Sequence, residues 1–134
     1  MRPETEPWWR QAQADLVASR QTLALGRYYA ASWFAQQAAE KGLKALYIER
    51  RGSLAPRTHD LEYLGVQANA PAAVAADLQL LNPAFDLVRY PDPIGGSALV
   101  DAVTPALAND HLGAAERVLA WIDAQLNRSS NQPS

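Results

Sequence analysis

The chain is expected to fold as an all-α, up-and-down bundle of four or five helices. Alanine is abundant and β-branched residues are sparse, a composition that suits helices because alanine loses no side-chain entropy there. Apolar residues recur at spacings of four and three along most of the chain. Glycine and proline fall between these stretches, where helices stop and start. At 134 residues and 49% hydrophobic content, the chain suits one domain with one core, here about residues 7–127 with a polar tail over 128–134.

A first helix is predicted from Pro7 to Leu25, capped by Thr5 and stopped by Gly26, with Trp9, Ala12, Leu16 and Leu23 near one face. A second is predicted from Tyr28 to Arg51, stopped by Gly52. Its apolar residues lie on most sides, as expected of a central helix. Thr58 is read as the cap of a short helix running HDLEYLGVQA. Pro71 opens another, carrying the stripe Val74, Leu78, Leu81, Phe85 and Val88, and Pro83 should kink or restart it. Residues 90–96, YPDPIGG, are a loop by composition. Thr104 and Pro105 read as the cap and first turn of a last helix with Ala108, Leu112, Ala115, Leu119, Ile122 and Leu126 at four-three spacing.

With no cysteine there is neither disulfide nor thiolate metal site, and the N-terminal MRPETEPWWR lacks the apolar centre of a signal peptide. A cytoplasmic protein is expected. Two separated histidines make a poor zinc constellation, and no cofactor or metal is expected. The net charge of −2 is unevenly spread: residues 1–57 carry +4 and residues 58–134 carry −6. Lys41, Lys44, Arg50, Arg51 and Arg57 form a local basic stretch, suited either to complementing a helix C-terminus or to touching phosphate.

Taken in order, Tyr28-Tyr29-Ala30-Ala31 with Phe34, Gln37-Ala38-Ala39-Glu40-Lys41, Leu43-Lys44-Ala45-Leu46, Thr58-His59-Asp60-Leu61, Leu81-Asn82 and Arg89-Tyr90-Pro91-Asp92 resemble the HEPN domain family. The resemblance runs from about Trp8 to Leu126. It implies a helical bundle that commonly forms homodimers in prokaryotes. It also implies association with a minimal nucleotidyltransferase, in some cases as a toxin–antitoxin pair, and a role connected with nucleotides or RNA. Many members are ribonucleases with an Arg followed four to six residues later by His. This chain departs from that pattern. Arg51 and Arg57 precede His59 by eight and two positions, and Arg89 precedes His111 by twenty-two.

The candidate groove comprises Glu40, Lys44, Asp60, Asn82, Arg89, Tyr90 and Asp92. Lys44, His59, Asn82 and Arg89 are expected to converge, a grouping that rests on the resemblance. Glu40 and Lys44, spaced i, i+4, can pair and need further partners if buried. Asp60 suits a helix start as well as a groove, and Arg89 can pair with Asp86 or hold an anion. His59 and Arg89 are the candidate catalytic pair, since cleavage at a 2′-hydroxyl needs acid–base groups and a cation on the phosphate. His111 flanks the last apolar stripe and reads as a packed residue. Trp8, Trp9, Tyr28 and Tyr29 suit a dimer contact. Three readings follow: a module binding a nucleotide, RNA or a nucleotidyltransferase, a divergent metal-independent ribonuclease, and a helical adaptor with no nucleotide role.

Overall fold

The computed structural model describes the backbone of residues 1–87 and 102–131, and the side chains of all of these except 129–131. The helices among the described residues are α1 (Glu6–Ala24), α2 (Tyr28–Arg51), α3 (Leu61–Gln67), α4 (Ala72–Leu81), α5 (Ala84–Leu87) and α6 (Pro105–Asn131). No strand occurs among the described residues. The expected all-helical class is therefore observed.

The α1–α2 turn is short because Gly26 takes a positive φ of 75°, which glycine adopts without a Cβ penalty. Gly52 ends α2 in the same way, at φ 65°, with its N–H on the carbonyl of Ile48. Between these glycines α2 is the axis of the molecule. It packs against α1, α3, α4, α5 and α6. Ala31, Ala35, Ala38, Ala39 and Ala45 are fully buried along it, so neighbouring helices approach closely. Leu43 and Leu46 of α2 form the core with Leu61 and Leu64 of α3, Leu78 and Leu81 of α4, and Ile122 and Leu126 of α6.

Two helix starts differ from their predicted form. Thr5 does not cap α1 with its side chain. Its hydroxyl donates instead to Glu49 Oε1 at 3.0 Å, and Arg2 binds the same glutamate, so residues 2–5 are tied to the end of α2. Nor is Thr58 the cap of α3. That helix begins at Leu61, and the Asp60 carboxylate accepts from the N–H groups of Glu62 and Tyr63. Thr58 lies one step back, its hydroxyl accepting from the Asp60 N–H. Pro83 does interrupt the helix, separating α4 from the single turn of α5. Thr104 caps α6 as predicted, accepting from the Leu107 N–H at 3.1 Å.

The α2 members of the basic stretch are used within the fold. Lys41 pairs with the buried carboxylate of Asp15. Arg50 donates to the Ala68 carbonyl and to Gln125, while Arg51 donates to the Gln67 carbonyl and lies over the Tyr47 ring. Both arginines thus satisfy carbonyls at the C-terminal end of α3, where a cation also complements the helix dipole.

His111 is packed, as its place beside the apolar stripe suggests. It is 2% exposed, and its Nδ1 lies 2.7 Å from the Ser32 hydroxyl. Burial pulls its pKa below the ordinary histidine value, partly offset by Asp110 and by a hydrogen bond to the Leu80 backbone. The unfolded chain therefore takes up a proton here more readily than the folded one. Stability from this group is complete above the ordinary histidine pKa of about 6.5 and is lost as pH falls toward the depressed folded value. Thermal melts at pH 7.5 and 5.5 are expected to show a loss in the parent protein that is smaller in His111→Gln. Equal losses would assign the pH dependence elsewhere.

Candidate functional site

The site is built where α2, α3, α4 and α5 meet. Its innermost group is the Glu40 carboxylate, 4% exposed. Glu40 Oε2 accepts from Lys44 Nζ at 3.1 Å, one helical turn along. Glu40 Oε1 lies 2.8 Å from His59 Nδ1 and accepts from Gln36 Nε2 at 3.3 Å. Gln36, fully buried, also reaches the His59 carbonyl at 3.4 Å. Lys44, itself buried, has the Trp8 ring 5.7 Å from Nζ. Among the described residues, no buried side-chain polar atom lacks a partner.

This buried network aims an exposed imidazole. The His59 side chain is 55% exposed, although its Nδ1 edge is held from below. Its ring stacks on Phe85 of α5, with centroids 4.1 Å apart and planes 18° from parallel. Trp33 of α2 supports Phe85 in turn, at 5.6 Å. The result is a short aromatic platform at an open cleft of about 740 Å³.

The cleft's far wall is polar. Asn82, at the end of α4, accepts the Leu61 N–H on Oδ1 at 2.9 Å. It donates to Asp60 Oδ1 at 2.9 Å and to Glu62 Oε2 at 3.2 Å. Asn82 therefore fastens α4 to the first turn of α3 and orients two carboxylates. Gln79 and Asp86 complete that wall, and no lysine or arginine lines the cleft among the described residues.

The expected grouping is thus partly observed. Glu40, Lys44 and His59 form one chain of contacts, and His59, Asp60 and Asn82 share the cleft. Lys44 stands behind His59, against Glu40 and Trp8. Arg89, Tyr90 and Asp92 lie outside the described residues, as does any Asp86–Arg89 pair. Asp60 has its capping role and lines the cleft as well. Gln36, Glu62 and Phe85 were absent from the predicted site. Phe85 was legible only as a member of the α4–α5 apolar stripe, and nothing in that periodicity marks a stacking partner for a histidine 26 residues earlier. Of the four aromatics suited to a dimer contact, Trp9 is in the core, Tyr28 and Tyr29 pack beside Ala31 and Ala108, and Trp8 is partly exposed.

Residues 5–125 match the HEPN domain family model. The chain belongs to the HEPN family. Its fold is similar to the crystal structure of an archaeal HEPN homologue, with a TM-score of 0.76 and 30% identity over 91% of this chain and 97% of that one. It is also similar to TT1696 from Thermus thermophilus, with a TM-score of 0.84 and 27% identity over 92% of this chain and 99% of that one. No curated protein matches the sequence. Among the described residues, no helix is long and apolar enough to cross a membrane, and no group of three or more His, Asp or Glu side chains is arranged to hold a metal ion.

Proposed function

We propose that this HEPN protein is a binding module for a nucleotide or single-stranded RNA, with the ligand seated in the His59 cleft. The observation that carries this reading is the half-exposed His59 imidazole, stacked on Phe85 and held at Nδ1 by Glu40. Flat rings at a cleft mouth offer a nucleobase a stacking surface, and stacking is worth about 1–3 kcal/mol per base. Rigidity matters because a preorganised platform loses little entropy on binding. A nucleotidyltransferase partner and self-association through the exposed side of Trp8 belong to the same reading, as the family resemblance implies.

Calorimetry with the ribonucleoside monophosphates and fluorescence anisotropy with a single-stranded RNA oligomer test this. Binding should weaken about tenfold in Phe85→Ala, the loss expected for one stacked base. An absence of binding to every probe by the folded protein rejects the reading.

A second reading, a divergent ribonuclease, is favoured by one feature. A buried carboxylate holding an imidazole by Nδ1 is the arrangement that orients a catalytic histidine. Incubation with labelled total RNA decides it. Cleavage abolished in both His59→Ala and Arg89→Ala supports the enzyme, and intact RNA at all protein concentrations rejects it.

A further inference from the structure

The Glu40–His59 contact fixes which proton the imidazole carries, and thereby which ligand groups the cleft can accept. An ionised carboxylate only accepts hydrogen bonds. Glu40 receives Lys44 Nζ on one oxygen and Gln36 Nε2 on the other, so it meets His59 as an acceptor. At 2.8 Å, His59 Nδ1 must then be the N–H donor. The neutral ring is left with its lone pair on Nε2, the nitrogen available to the cleft.

The opposite wall offers acceptors too. Asp60 Oδ1 is occupied by the α3 N–H groups and Asn82, and Glu62 Oε2 by Asn82, which leaves the second oxygen of each without a partner among the described residues. Asp86 adds a further carboxylate. The cleft therefore presents an aromatic platform beside hydrogen-bond acceptors, and its described lining carries negative charge. A phosphate placed among these carboxylates meets like charge. A planar ring bearing an amino group meets a stacking partner and acceptors for its N–H bonds.

We propose that the cleft takes the amino-bearing edge of a nucleobase and leaves the phosphate outside. The inference rests on the nucleotide-binding reading above and names the part of the ligand that enters. Glu40 is a positioning residue in it, acting through the tautomer of His59.

The first test needs no ligand. Nitrogen-15 NMR of the neutral His59 ring should give a pyrrole-like shift for Nδ1 and a pyridine-like shift for Nε2. The reverse assignment overturns the inference whatever the protein binds. The second test compares adenosine, adenosine monophosphate and purine riboside, which lacks only the amino group. Adenosine and its monophosphate should bind alike. Purine riboside should bind about tenfold more weakly, because it brings no amino N–H to the acceptors that line the cleft. Equal binding of adenosine and purine riboside, or binding that requires the phosphate, rejects the inference while leaving nucleotide binding standing. Binding of none of the three, nor of any other ribonucleoside monophosphate or the RNA oligomer, rejects both. In the paired variant Glu40→Leu with Lys44→Met, the ring should shift toward the Nε2–H tautomer and the preference for adenosine should shrink.

Discussion

Replacement of Glu40 by alanine is expected to lower the unfolding free energy by about 3–5 kcal/mol, the cost typical of breaking a buried ion pair by removing one partner. Lys44 is the reason. Its side chain is 8% exposed, and its ionic partner among the described residues is Glu40. Without Glu40 the ammonium stays in the interior with the Trp8 ring as its remaining described contact, and a ring face replaces little of a carboxylate's attraction. Gln36 and His59 lose an acceptor at the same time. Urea denaturation measures the loss. Glu40→Leu combined with Lys44→Met removes both charges and keeps the volume, so it should recover most of that stability. A single variant within about 1 kcal/mol of the parent would show that the pair is hydrated and structurally minor.

The same network shows how far local pattern reaches. The i, i+4 spacing of Glu40 and Lys44 announced their pairing, and the apolar surroundings on α2 announced that more partners were needed. Those partners came from both ranges. Gln36 is one turn back on the same helix, where a glutamine is indistinguishable from an ordinary helix former. His59 is 19 residues on, across a loop whose course no periodicity specifies. The displaced cap of α3 has a similar origin. Thr58 and Asp60 are both good N-cap residues, and the choice is made by Asn82, which grips Asp60 and the Leu61 N–H from another helix. The bounds of α2 were legible because Gly26 and Gly52 stop helices by backbone chemistry alone. The basic stretch on α2 suggested a polyanion contact because its partners, Asp15 and the α3 carbonyls, are distant in sequence.

Charge placement also separates the two halves of the site. The cations of α2 are engaged behind or away from the cleft, while its described wall holds Asp60, Glu62 and Asp86. Any phosphate-directed chemistry here depends on groups other than those lining the described cleft, and Arg89 is the candidate that sequence supplies. That is why Arg89→Ala discriminates between the enzymatic and the binding readings, whereas Phe85→Ala weakens both.

Gly42→Leu should be about as damaging as the loss of Glu40, for a steric reason in place of an electrostatic one. Gly42 sits mid-way along α2, where α1 and α6 both press against it. A Cβ at this position would stand 2.9 Å from Ile122 Cδ1, 3.6 Å from the Trp9 ring and 3.7 Å from Leu119 Cδ1. All three side chains belong to the main core, and Ile122 is fully buried. Alanine is the mild case. It gains about 1 kcal/mol of helix propensity over glycine and spends it on moving the end of one flexible isoleucine, so Gly42→Ala should fall near neutral. Leucine adds three further carbons with no space to enter and must push α1 or α6 away from the axis. A loss of about 3 kcal/mol or more is expected, at the upper end of overpacking costs. Combining Gly42→Leu with Ile122→Ala should recover part of it, since the removed branch vacates the place the new one needs, and a positive coupling between the two sites is the diagnostic. Strict additivity of the two changes would mean that the helices do not meet at Gly42 as closely as the packing here requires.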